Sequence, residues 1–80
     1  MKDDITIFCG NVKAMREKLE ISMKEMAGVL EITVECLEAM ERGVLLPEVD
    51  VGILYCIYDQ FGIWPSQMFR EDGIEAFLTA

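Results

Sequence analysis

Two helix starts placed close together constrain this chain more than any other feature. In Ser22-Met23-Lys24-Glu25 the serine hydroxyl can accept from the amide three residues on, while the glutamate reaches back to the serine amide. That capping box starts a helix at Met23. Thr33 is a second N-cap candidate, so the next helix runs from Val34 to about Arg42. Gly43 then supplies the left-handed residue on which a helix stops, and Pro47 prevents the same helix from resuming. The middle of the chain is therefore two short helices joined by a tight turn.

Apolar residues recur at three- and four-residue steps almost throughout, and no strand-like alternation is longer than "ITIF". A first helix is expected from Asp3 or Asp4 to Glu20, with Phe8, Val12, Met15 and Leu19 as its buried stripe and Gly10 weakening it by up to about 1 kcal/mol. The second helix turns Met26, Ala27, Val29 and Leu30 inward. "GVLLPEVD" is an apolar connecting loop. A fourth helix begins close to Asp50, uses Val51, Leu54, Ile57, Tyr58 and Phe61 as its core face, and ends at Gly62. Pro65 sits at the first position of a short fifth helix, with Ile63, Met68 and Phe69 closing the core. The pattern predicts one all-α domain of five helices over residues 1–80, without linker, repeat or low-complexity segment.

Fifteen acidic residues against seven basic ones, with no histidine, give a net charge of −8. Such a balance repels polyanions and counts against nucleic acid or an anionic membrane as a default partner. Apolar runs fall far short of the roughly 20 residues that span a bilayer, so no membrane association is expected. The opening "MKDDITIFCG" lacks the character of a secretory signal, and a cytoplasmic location follows. Cys9, Cys36 and Cys56 contain no CxxC pair and are expected as core thiols, not as a disulfide framework or a zinc site. No histidine, nucleophile elbow or glycine-rich phosphate loop is present, so neither enzyme activity nor a cofactor is expected. Trp64 and Tyr55 are expected in core or hinge packing instead of a ligand pocket.

Arg16, Ser22, Ala27, Leu30, Ile32, Leu37, Glu41 and Gly43, followed by Pro47, Phe61, Gly62 and Ile63, together resemble the Cro/C1-type (XRE) helix-turn-helix family. The likeness covers Val12 to Phe69, a motif core of residues 12–69, and residues 70–80 are left as a tail. It implies a lambda-repressor-like bundle in which small Ala27 lets the second and third helices approach, while Leu30, Ile32 and Leu37 fill the angle between them. It also implies a structural ion pair between Arg16 and Glu41 that ties the third helix to the scaffold. The segment from Pro47 to Gly62 is slightly longer than the commonest family spacing, which bears on the loop.

By the same resemblance the chain is a DNA-binding transcriptional regulator, with the start of the third helix in the major groove of duplex DNA and the start of the second against a phosphate. The positions carried over are Met23, Val34, Glu35, Glu38 and Ala39. Typical members place neutral amides or cations there, whereas here the only polar residues are two glutamates. A glutamate can accept from the cytosine amino group, provided that cations nearby neutralise the phosphates. The candidates for phosphate contact are Lys13, Lys18, Lys24 and Arg42, with Ser22 and the free amides of the second helix as neutral donors. Glu35 and Glu38 equally suit a plain solvated helix face, Glu35 at the positive end of its helix.

Met23, Val34, Val44, Leu45 and Leu46 put apolar side chains on or beside the surface that would face DNA, unless Val44 or Leu46 folds back on Leu37 and Met40. Exposed, they would suit a protein partner bound through the third helix and the 43–47 loop. A protein-interaction module on the same scaffold is thus the alternative to DNA binding. Ile74, Phe77 and Leu78, with any exposed part of Tyr55 or Trp64, offer a self-complementary patch for a twofold homodimer.

Overall fold

The computed structural model describes residues 3–71 and holds five helices. They are α1 (Asp4–Lys18), α2 (Met23–Leu30), α3 (Val34–Glu41), α4 (Gly52–Phe61) and α5 (Pro65–Met68). Among the described residues there is no strand, so this part of the chain is all-α. Ile74, Phe77 and Leu78, expected in a last turn and a dimer contact, lie outside the described residues.

Each helix start has a local chemical cause. Asp3 Oδ1 accepts from the Thr6 N–H at 2.7 Å, Ser22 Oγ from Glu25 at 3.0 Å and Thr33 Oγ1 from Cys36 at 3.1 Å. These bonds satisfy amides that a helix leaves unpaired at its first turn. In the Ser22 box it is the serine hydroxyl, not its amide, that contacts the Glu25 carboxylate, at 3.5 Å. Asp50 Oδ1 accepts from the Gly52 N–H at 2.8 Å, and a Cβ on residue 52 would stand 2.9 Å from that oxygen. Glycine is what lets Asp50 approach the start of α4.

Three helices end in the same way. Backbone bonds from Ile21 to Arg16, Ile32 to Ala27 and Val44 to Ala39 close each last turn around a left-handed residue. Those residues are Glu20 (φ 55°), Glu31 (φ 59°) and Gly43 (φ 89°). This is the Schellman arrangement, and it explains why α1 ends at Lys18 and not at the expected Glu20. Beyond the stop Leu19 turns outward, 41 % exposed, instead of completing the buried stripe.

The core forms where α1 meets α3 and where α4 meets α2 and α5. Phe8, Val12 and Met15 of α1 face Met26 and Leu30 of α2, Leu37 and Met40 of α3, and Ile53 and Ile57 of α4. Met15, Met26, Met40 and Met68 are fully enclosed, which suits an unbranched thioether filling gaps between short helices. Ile63 and Met68 close the lower end as expected. Phe69 instead lies at the edge, its ring 5.4 Å from that of Phe8.

Helix α4 departs most from expectation. It begins at Gly52 and packs on α2 and α5 with Ile53 and Ile57 as its buried line and Leu54 and Phe61 beside it. Val51 and Tyr58, expected inside, are 69 % and 40 % exposed. Tyr55 and Trp64, expected in core or hinge packing, are also exposed. The Trp64 N–H donates to the Gln67 side-chain oxygen at 2.9 Å, which caps α5 through the backbone and leaves the indole outside the core.

Asn11 is the one buried polar side chain among the described residues, and no spacing argument singled it out. Its Nδ2 donates to the carbonyls of Met68 at 2.7 Å and Arg70 at 2.9 Å, so α1 holds the end of α5. Asn11→Ala is expected to destabilise the domain by about 2 kcal/mol in urea denaturation, because both carbonyls lose their partner. Glu20→Gly should instead raise stability by about 1 kcal/mol, by relieving the left-handed strain at that helix end.

Candidate nucleic-acid interface

The α2–α3 pair is set by three contacts. Ala27, 3 % exposed, permits close approach of the helices, while Leu30 and Leu37 are enclosed between them. Glu31 takes the left-handed conformation that turns the chain, and Ile32 packs against the core beneath it. Arg16 of α1 then fixes α3 from below. Its Nη2 donates to Glu41 Oε1 at 2.9 Å and its Nε to Glu41 Oε2, while Nη1 donates to the Ile21 carbonyl at 3.3 Å. The two side chains are 19 % and 9 % exposed, and the bond to Glu41 holds the Arg16 guanidinium above its ordinary pKa. A paired, planar fork of this kind fixes direction as well as distance.

With α3 so held, Glu35, Glu38 and Arg42 make one outward stripe at helical spacing. Ser22, Lys24 and Glu25 are exposed at the start of α2. Lys13 and Lys18 are exposed on α1. Met23 and Val34 are half-buried and packed against the core margin, so each offers only part of its side chain.

Ala39, expected among the base-facing positions, is 3 % exposed and cannot reach a partner. The loop after α3 folds along that side of the helix: the Val44 N–H donates to the Ala39 carbonyl at 2.9 Å, and the Cys36 thiol donates to Glu48 Oε1 at 3.2 Å. The same fold-back shrinks the apolar patch expected beside α3. Val44 alone of the five residues is exposed, at 49 %, while Leu45 packs on the core and Leu46 is half-buried.

The returning loop also adds negative charge. Glu31, Glu48 and Asp50 line a polar cleft of about 280 Å³ between the α2–α3 turn and the start of α4. The Cys56 thiol donates to Glu31 Oε2 at 3.1 Å, a bond that raises its pKa and keeps the sulfur protonated. Sequence spacing gave no sign of either thiol–carboxylate contact, since each joins residues far apart in the chain. Between Ser22 and Glu48, exposed Glu25, Glu31, Glu35, Glu38 and Glu48 stand against exposed Lys24 and Arg42.

Among the described residues no group of three or more His, Cys, Asp or Glu side chains is placed to hold a metal ion, and no helix is long and apolar enough to cross a membrane. No protein-family model, curated protein or solved structure matches this chain.

Arg16→Ala leaves the enclosed Glu41 carboxylate without its partner and is expected to destabilise the domain by about 2–3 kcal/mol. An Arg16→Met, Glu41→Leu double variant should recover most of that loss, since no buried charge is then stranded. Urea denaturation of wild type and the two variants measures both.

Proposed function

We propose that this chain is a helix-turn-helix domain of the Cro/C1 type, acting in transcriptional regulation, whose α3 is presented to duplex DNA by a pair of copies. The Arg16–Glu41 fork supports this reading most directly. It fixes α3 so that Glu35, Glu38 and Arg42 face outward together with the start of α2. A helix held rigidly by its scaffold, with one polar stripe free, has the form needed to enter a major groove.

The surface charge sets the terms of binding. Lys24 and Arg42, with help from Lys13 or Lys18, are the cations available to one copy, and each phosphate neutralised adds about one unit to the salt slope. Affinity from counterion release is therefore small for a single copy, and a pair is required. Ser22 and the first amides of α2 add neutral phosphate donors. Sequence choice falls to Glu35 or Glu38 accepting from the cytosine amino group.

A second reading has its own observation. The exposed carboxylates around α2 and α3 outnumber the cations, and this favours a basic protein surface as the partner of the same face.

Binding of the purified protein to a pool of random duplexes separates the two. The DNA reading expects selection of a shared sequence at low salt and steep weakening as salt rises. Glu35→Gln or Glu38→Gln should tighten non-specific binding about twofold each, the effect of removing one charge roughly 10 Å from a phosphate in water. Absence of binding at low salt, in wild type and in both variants, would leave the basic-protein reading in its place.

A further inference from the structure

The exposed face of α4 combines features that the α3 surface does not use. Val51, Tyr55 and Tyr58 follow one another at four- and three-residue steps, and are 69 %, 70 % and 40 % exposed. Trp64, 59 % exposed, extends the line, its ring 4.6 Å from that of Tyr58. At the other end Val51 borders an apolar groove of about 240 Å³, and Asp50 is the one charged residue that lines it. Asp59, also exposed, stands one turn after Tyr55 on the same helix, a separation that makes their side chains neighbours.

Charge along this face has one sign. Between Arg42 and Arg70 the sequence holds no lysine or arginine, but it holds Glu48, Asp50 and Asp59. Among the described residues no cation pairs with Asp50 or Asp59. The aromatic strip thus carries one carboxylate at the groove and another beside Tyr55, and the described chain neutralises neither.

We infer that this face is the docking site for a short segment of another protein, an amphipathic helix with arginine beside its apolar side. The groove takes an aliphatic side chain of that helix, and the rings of Tyr55, Tyr58 and Trp64 take its neighbours. Arginine at Tyr55 meets two needs together, since its planar guanidinium lies on the ring while its edge donates to the Asp59 carboxylate. Charge rejects the other occupants. A second copy would bring two sets of unpaired carboxylates into one contact, between two chains of net charge −8. An anionic lipid surface is repelled in the same way, and a purely apolar segment would take water from Asp50 and Asp59 without pairing them.

Area agrees with a short segment. Aromatic side chains carry roughly 150–250 Å² each, so at these exposures the three rings and Val51 present on the order of 400 Å². That is about half of one side of a standard interface, which takes roughly 800 Å² per partner. The ten residues of α4 rise about 15 Å, the length of two to three turns of a partner helix. The inference goes beyond the proposed DNA reading and does not rest on it, because the seat uses no residue of the α3 stripe. It differs as well from a basic surface at α2 and α3, which needs no apolar residues.

Titration of the protein alone, without DNA, with a synthetic peptide tests it. The peptide is about 14 residues long, with leucine along one helical face, arginine beside it and no tryptophan. Trp64, the single tryptophan of the chain, should shift its emission to shorter wavelength and saturate. A peptide with glutamate in place of arginine should bind at least tenfold more weakly, and so should one of the same composition with its leucines scrambled. Tyr55→Ser, at an exposed position, should weaken binding at least fivefold with an unchanged circular dichroism spectrum, and Asp59→Asn about threefold, within the range of an exposed ion pair. Glu35→Gln and Glu38→Gln should change affinity less than twofold. Equal binding of the arginine and glutamate peptides overturns the inference, as does binding that survives Tyr55→Ser but falls with the α3 variants, or a Trp64 that does not respond to millimolar peptide. Self-association in sedimentation that itself buries Trp64 would overturn it too, since a second copy then holds the seat.

Discussion

The Arg16 guanidinium joins three parts of this structure. One guanidinium reaches the Glu41 carboxylate of α3 and the Ile21 carbonyl just before α2, while its own backbone belongs to α1. Three elements are thereby fixed through one planar group with donors in set directions. Short helices have little stability of their own and depend on packing, so a directional tie at this junction decides which face of α3 remains outside. The enclosed Leu37 and Met40 supply the apolar driving force. The ion pair supplies the orientation.

The exposed surface divides into two chemically different regions. Around α2 and α3 the solvent side is polar and mostly anionic, and the few cations sit at its margins. Along α4 and into Trp64 exposed aromatics predominate, with Asp59 the one carboxylate of that helix. Charge thus dominates one part of the surface and exposed aromatic area another.

The helices were legible where a local rule suffices. Ser22, Thr33 and Gly43 act through neighbours three to five residues away, and their helices begin and end within a residue of expectation. Period alone picked out Phe8, Val12 and Met15 of α1 and Met26, Ala27 and Leu30 of α2, but it also placed inside Leu19, which is exposed, and Val29, which is half-buried outside the core cluster. Legibility failed where a residue's surroundings come from distant chain. Ala39 follows Glu38 on α3, yet it is buried, on the side of the helix where the Cys36 thiol meets Glu48 of the following loop. Tyr55, Tyr58 and Trp64 have the composition of a core and lie outside it, because α4 packs on α2 and α5 through Ile53 and Ile57. Asn11 reads as an unremarkable polar residue until α5 places two carbonyls over it.

By itself, then, the sequence determined the helical class, the tight α2–α3 turn and the acidic balance, since capping, hydrophobic period and net charge depend on residue type and short separations. The resemblance pointed to the partners Arg16 and Glu41, but only the assembled bundle brings them together across 25 positions of chain. Tertiary structure alone decided which side of α3 is free, how few of the nearby apolar residues stay exposed, and that the aromatics of α4 face water. Those outcomes depend on how helices rotate against one another. A rotation of one residue step about a helix axis exchanges buried for exposed, and no local preference in the chain fixes that angle.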